Sequence, residues 1–371
     1  FHHQQPQRSG SGGQDGQEQG KGGKDADHGG IIGPQGWLGN RRAAPYPFLM
    51  DELLEPLVAK DRRALSRAIT LIESTRPDHR ARAVALLADL PNRQALRIGL
   101  SGTPGVGKST FIEAFGTMLT EQGLRVAVLA VDPSSARSGG SILGDKTRME
   151  TLSRNPLAFI RPTPSNAQLG GVARRTREAI RLCEAAGFDV VLIETVGVGQ
   201  SETLVAEMCD LFVLLLAPAG GDELQGVKRG IMEMADLILV NKADGELLGT
   251  ARRTVADYAG ALRLLRKRPQ DPQGFPKALP VSAATGDGLA KAWDEMQALT
   301  AWRREQGHFA ANRAEQERQW FLADVRAGLL ARLDASAARD RLARLGDAVA
   351  DGGMAPAEAA RDMLNWLAQQ K

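Results

Sequence analysis

The sequence predicts an α/β fold in which a mostly parallel central sheet is flanked by helices, with helices before it and a helical arm after it. Three observations predict this. Short, near-continuous apolar runs recur: LRIGL (96–100), VAVLAV (126–131), AFI (158–160), VVLIE (190–194), LFVLLLA (211–217), LILVN (237–241) and ALPVS (278–282). Stretches of helical length lie between most of them. A glycine-rich segment, GTPGVGKST (102–110), follows the first run directly and opens one of those helices. Strands apolar on both faces belong between two helical layers, which is the environment of a parallel sheet. Between VAVLAVD and VVLIETVG lie a short strand and a helix near 171–186, as a crossover requires and a hairpin does not.

In chain order, residues 1–48 are rich in Gly, Gln and Ser and poor in aliphatics, the composition of a disordered low-complexity extension. Asp15, Glu18, Asp25 and Asp27, and the lack of an apolar core segment, argue against a targeting peptide. Residues 49–92 read as an N-terminal helical segment. Asp61 is placed as an N-cap, Leu65, Ala68, Ile69 and Ile72 share one face, and Pro91 closes a pair of helices. Residues 93–300 hold the sheet and the motifs below. Residues 301–371 form the helical arm, where Phe321, Leu322, Val325, Leu329, Leu330 and Leu333 make one apolar stripe. The stripe is expected to pack on its own domain, with a protomer–protomer contact as the alternative.

Composition excludes several classes. Lys plus Arg number 47 against 44 acids, a net charge of +3, and the signs are interspersed. No basic block carries interleaved aromatics, so nucleic acid is not expected as a partner. No run approaches the 18 or so apolar residues of a membrane span. Cys183 and Cys209, in apolar surroundings taken as helical and with no CxxC, read as buried hydrophobes in a reducing compartment. That compartment is the cytoplasm, or the mitochondrial matrix if the source is eukaryotic.

The segment 102–110 matches GxxxxGK[ST] in strand–loop–helix context, a specific signature of phosphate binding. Gly102, Pro104, Gly105, Val106 and Gly107 let backbone N–H groups turn inward at a helix N-terminus. Lys108 is assigned to the β- and γ-phosphates, Ser109 to Mg2+ and Thr110 to the region of the α-phosphate. NKAD (241–244) ends a later strand. Guanine presents two adjacent donors that one carboxylate can accept, and adenine has no such pair. Asp244 is therefore the expected specificity residue. Asn241 braces the loop and contacts the base, the Lys242 stem covers the ring, and Ser282 and Ala283 complete the pocket. GTP or GDP with Mg2+ is the expected ligand set.

ETVGVGQSE (194–202) follows the strand VVLI. Glu194 is assigned to the magnesium shell and the Gly197 amide to the γ-phosphate. Val198 stands where many small GTPases keep a water-orienting glutamine, and Gln200 cannot be assumed to replace it, so slow, partner-stimulated hydrolysis is expected. Asp132, at the tip of VAVLAVD, joins the magnesium shell or orients water. The loop after it, with Asp145 and Lys146, reads as a switch. GGDELQGVKRG (220–230), with Asp222, Glu223 and Lys228, reads as a mobile charged loop able to signal to a partner.

Together, GTPGVGKST, VDPSSARSGGSILGDKTRM, IRPTPS, ETVGVGQSE, GGDELQGVKRGI and NKAD resemble the MeaB/ArgK family of P-loop GTPases from about residue 52 onward. The resemblance implies a homodimer with a C-terminal dimerisation arm. It also implies a chaperone of adenosylcobalamin-dependent acyl-CoA mutases, chiefly methylmalonyl-CoA mutase, that gates cofactor loading and protects or rescues the client. The loop with Asp222, Glu223 and Lys228 would then be the mutase-facing switch. Residues 1–48 match nothing in the family. A metal-delivery GTPase and a protein kinase of the same fold class are the alternatives. The first needs a Cys/His site, whereas only His79 and His308 lie outside the N-terminal extension. The second needs a catalytic Asp/Asn loop, which the sequence does not display.

Overall fold

The computed structural model describes residues 51–131, 149–163, 169–195, 201–218 and 229–370; the N-terminal extension lies outside them. Seven strands form one sheet: β1 (Leu96–Ser101), β2 (Val126–Val131), β3 (Ala158–Thr163), β4 (Val190–Thr195), β5 (Leu211–Leu216), β6 (Leu237–Val240) and β7 (Lys277–Pro280). Their order is β3-β2-β4-β1-β5-β6-β7, and every neighbouring pair is parallel. The C-terminal ends of all seven strands therefore share one edge.

Alternation along each strand divides the core into two layers. Ala127, Leu129 and Val131 of β2 and Val191 and Ile193 of β4 face helices α2 (Arg62–Glu73), α3 (Pro77–Ala88), α6 (Leu169–Ala185), α7 (Ser201–Ala206), α8 (Arg229–Met234) and α9 (Leu248–Arg263). Val126, Val128, Val190 and Leu192 face α4 (Lys108–Glu121), α5 (Glu150–Arg154) and α10 (Leu289–Glu305). Phe111 and Phe115 of α4 stack at 5.3 Å, and Trp293 of α10 meets Phe115 edge-on at 5.9 Å. Gly99 of β1 has a steric reason: a Cβ there would stand 2.8 Å from Val205 Cγ1 and 2.9 Å from Cys209 Sγ. Only glycine lets α7 lie this close to the strand that carries the phosphate loop.

The helical pair expected before the sheet is preceded by a third short helix, α1 (Leu54–Val58). Asp61 caps α2 by accepting the Arg63 N–H at 2.7 Å, and Leu65, Ala68, Ile69 and Ile72 are all buried. After the sheet, α10 runs unbroken across residue 300 into α11 (His308–Ala331), α12 (Ser336–Ala350) and α13 (Pro356–Gln369). Cys209 lies in the turn before β5 and not in a helix; both thiols are buried and free, and burial pushes both pKa values up.

Helix α11 corrects one expectation. Its apolar stripe does not pack on its own domain: Phe321 is 63% exposed, Leu329 57% and Leu330 63%, with Leu322 and Val325 exposed as well. The buried face is Phe309, Arg313, Gln316 and Trp320, spaced by four, three and four residues. The reason is electrostatic. Arg313 donates to Asp210 Oδ2 at 2.6 Å, Glu184 Oε1 at 2.9 Å and Ala95 O at 2.8 Å. Arg97 of β1 binds Glu184 at 2.9 and 2.8 Å and lies 5.2 Å from the Trp320 ring. Gln316 donates to Cys209 O at 2.8 Å. A buried carboxylate pair needs these donors more than the helix needs its leucines covered.

Candidate functional site

The phosphate loop leaves β1 at Ser101, which is buried between β4 and β5. At Gly102 a Cβ would lie 2.4 Å from the Leu215 carbonyl oxygen of β5, so the loop can only pass this strand as glycine. Pro104 and Gly105 are exposed, whereas Val106 is buried in the α4 layer and pins the loop from beneath. Gly107 adopts φ +89, and a Cβ there would stand 2.8 Å from Asn241 Nδ2. Helix α4 starts at Lys108, whose ammonium turns back to donate to Gly102 O at 2.6 Å. Ser109 is half-buried on the first turn and Thr110 is exposed. Burial lowers the Lys108 pKa, and the carboxylates of Glu194 and Glu202 oppose that shift.

Glu202 has no role in the sequence reading, although it falls inside the quoted motif. It is 4% exposed on α7 and close enough to act on the Lys108 charge. The available signal was an acid in the first turn of the helix that follows the sensor segment. Glu194 is 5% exposed, near the tip of β4, in register with Leu100 of β1 on one side and Ala130 of β2 on the other. It thus stands between the strand that leads to the phosphate loop and the strand that leads to Asp132. The Ser109 hydroxyl and the Glu194 carboxylate are hard oxygen donors on one strand edge, which fits a magnesium ion bound with a nucleotide. Asp132, Asp145, Lys146, Gly197, Gln200, Asp222, Glu223 and Lys228 lie outside the described residues.

The base pocket forms where β6 and β7 end. Asn241, 2% exposed, donates from Nδ2 to Val106 O at 3.0 Å and accepts at Oδ1 from the Ala283 N–H at 3.0 Å. One amide therefore joins the phosphate loop to the Ser282–Ala283 turn. Lys242, at φ +57, extends its ammonium to Gly105 O at 2.8 Å, so its stem runs along the opening of the pocket. Asp244 is half-buried and accepts a hydrogen bond from the Ser282 hydroxyl, which fixes one carboxylate oxygen. Ser282 and Ala283 lie just beyond β7, which ends at Pro280. Sequence-assigned residues of both the phosphate and base motifs are thereby brought within one hydrogen-bonded assembly. A groove of about 570 Å³ lies at the other edge of the sheet, where Asp210 and Asp236 precede β5 and β6. It is separate from this assembly.

A parallel sheet with a glycine phosphate loop at a helix N-terminus, an acid at the adjacent strand tip and an NKxD turn defines a P-loop GTPase. Comparison with known proteins agrees. The family model described as methylmalonyl Co-A mutase-associated GTPase MeaB matches residues 65–338, and the chain belongs to that family. A putative GTPase of Caulobacter vibrioides is 56% identical over 75% of this chain and 85% of its own length. The mouse methylmalonic aciduria type A homolog, mitochondrial, is 49% identical over 84% of this chain and 78% of its own. A crystal structure of an LAO/AO transport system kinase superposes with a TM-score of 0.65 at 36% identity, covering 86% of this chain and 97% of that one. The protein is a guanine-nucleotide-binding GTPase. Among the described residues, no group of three or more His, Cys, Asp or Glu could hold a metal ion, and no helix is long and apolar enough to cross a membrane.

Proposed function

We propose that this GTPase is a chaperone of an adenosylcobalamin-dependent acyl-CoA mutase, methylmalonyl-CoA mutase, and that nucleotide state gates cofactor loading and protects or reactivates the client. The observation that carries this reading is the family match over residues 65–338, whose description names the mutase. The 49% identity to the mouse methylmalonic aciduria type A homolog supports it. Lys108 exchanges its contact with Gly102 O for the β- and γ-phosphates of GTP. Asp244 accepts the two guanine donors on the oxygen not held by Ser282, and Asn241 keeps the two halves of the pocket in register. Ser109, Glu194 and Asp132 hold Mg2+, which neutralises charge between the terminal phosphates. The Gly197 amide reads the γ-phosphate, and Val198 offers no group to orient water. Hydrolysis is consequently slow until a partner acts on the loops bearing Asp145, Lys146, Gln200, Asp222, Glu223 and Lys228.

The exposed stripe on α11 supports a homodimer: five large apolar side chains on one helix face are a surface that self-association covers. The two buried free thiols support a reducing compartment. The test of the function is GTP turnover with and without purified methylmalonyl-CoA mutase, with Lys108→Ala as the blank. A mutase-dependent rise in turnover is expected. Intact GTP binding with turnover indifferent to the mutase refutes this client.

A further inference from the structure

Helix α5, residues 150–154, is the first described element after the segment 132–148, and its attachment is unusual for so short a helix. Its N-cap position, Met149, provides no side-chain cap. The cap comes from α4. Glu113 Oε1 accepts the backbone N–H of Thr151 at 2.8 Å and that of Leu152 at 3.2 Å. One turn further along α4, a Cβ on Gly116 would lie 2.6 Å from Leu152 Cδ2, so Leu152 seats directly on the α4 backbone. Another turn on, Thr120 Oγ1 accepts from Asn155 Nδ2 at 2.9 Å, where α5 ends. Residues 113, 116 and 120 fall on one face of α4, and they hold the start, middle and end of α5 in turn. The same α4 opens at Lys108 with the phosphate loop.

The geometry points to Glu113 as a positioning residue for GTP hydrolysis: it fixes the downstream anchor of segment 132–148 to the helix that binds the phosphates. The upstream anchor is the end of β2 at Val131. A segment tethered at both ends to fixed elements samples far fewer arrangements than one tethered at one end, so Asp132 and Asp145 reach the nucleotide in fewer wrong geometries. Losing the cap leaves Lys108 and the base pocket untouched. It therefore lowers the hydrolytic step more than it lowers affinity. This inference rests on the proposed role of segment 132–148 in hydrolysis.

The experiment compares Glu113→Ala, Glu113→Gln and Gly116→Ala with Asp132→Ala in the full chain. It measures single-turnover GTP hydrolysis, GDP affinity without Mg2+, and thermal unfolding. Glu113→Ala is expected to slow hydrolysis about tenfold, the scale of a lost cap, with GDP affinity within about twofold. Glu113→Gln keeps an acceptor oxygen and is expected to recover most of the rate. Gly116→Ala displaces Leu152 from the other side and slows hydrolysis without touching Glu113. A Glu113→Ala rate equal to wild type, a parallel fall in GDP affinity, or equal losses in the Ala and Gln variants overturns the inference. If Asp132→Ala also hydrolyses GTP normally, the segment's role fails with it. If only Glu113→Ala is normal, the positioning claim alone fails.

Discussion

Replacing Asn241 with alanine tests whether one buried amide holds the nucleotide site together. The side chain satisfies two backbone groups at once, the Val106 carbonyl and the Ala283 N–H, each at 3.0 Å in a region closed to solvent. Alanine orphans both. A buried unpaired backbone group costs about 1–3 kcal/mol, so the two together amount to roughly 2–6 kcal/mol. If the turn opens in the free protein to reach water, that cost reappears when nucleotide binding closes it. The GDP dissociation constant then rises by about 30-fold or more. Lys242→Ala is the internal control: its 2.8 Å bond to Gly105 O is exposed, and its loss is worth less than about 1 kcal/mol beyond any ring contact. Isothermal titration calorimetry with GDP on both variants gives the comparison. A change below about threefold for Asn241→Ala, or a larger effect for Lys242→Ala, refutes the reasoning.

Three further outcomes follow from the same structure. Arg313→Met leaves the buried Asp210 and Glu184 short of donors and is expected to cost about 3–5 kcal/mol, lowering Tm by roughly 10 °C. Burial alone would raise the Glu184 pKa, but Arg97 and Arg313 hold it below the ordinary value. Its stabilising contribution is thus present above the unfolded value of about 4.3 and lost as pH falls through the folded one. The Tm gap between wild type and Arg313→Met is expected to narrow in that acid range, as scanning calorimetry at several pH values would show. For Lys108, burial lowers the pKa in the free protein and a bound polyphosphate raises it again, so nucleotide binding takes up a proton at alkaline pH. Affinity should be flat below the free value and fall as pH rises through it, with proton uptake read by calorimetry in two buffers and absent in Lys108→Ala. Finally, Phe321→Glu combined with Leu329→Glu should leave the fold intact and shift the molar mass measured by light scattering from dimer to monomer.

Much of the site was legible because its information is local. The phosphate loop needs glycines at fixed offsets beside a Lys–Ser pair, and a strand before it, and all of that is contiguous in 96–110. The NKAD turn is equally contiguous, and Asp61 announced its helix by residue type alone. What escaped was non-local. The cap that Glu113 gives to Thr151 and Leu152 spans 38 and 39 residues, and nothing about a glutamate in the second turn of an amphipathic helix marks it as a cap for another helix. Glu202 was on the page as a letter in a motif, but its importance lies in its burial beside Lys108.

The sequence by itself determined the parallel sheet, the nucleotide motifs and their order, because strand periodicity and turn chemistry act over a few residues. Only the tertiary structure decided which face of α11 is buried. By hydrophobic periodicity Phe321, Leu329 and Leu330 belong inside, yet Arg313 and Gln316 occupy that place. Glu184 on α6, Asp210 before β5 and Arg97 on β1 come from three distant segments, and only folding brings them together. Buried charges must be paired where they meet, whereas leucines left on the surface can wait for a second chain.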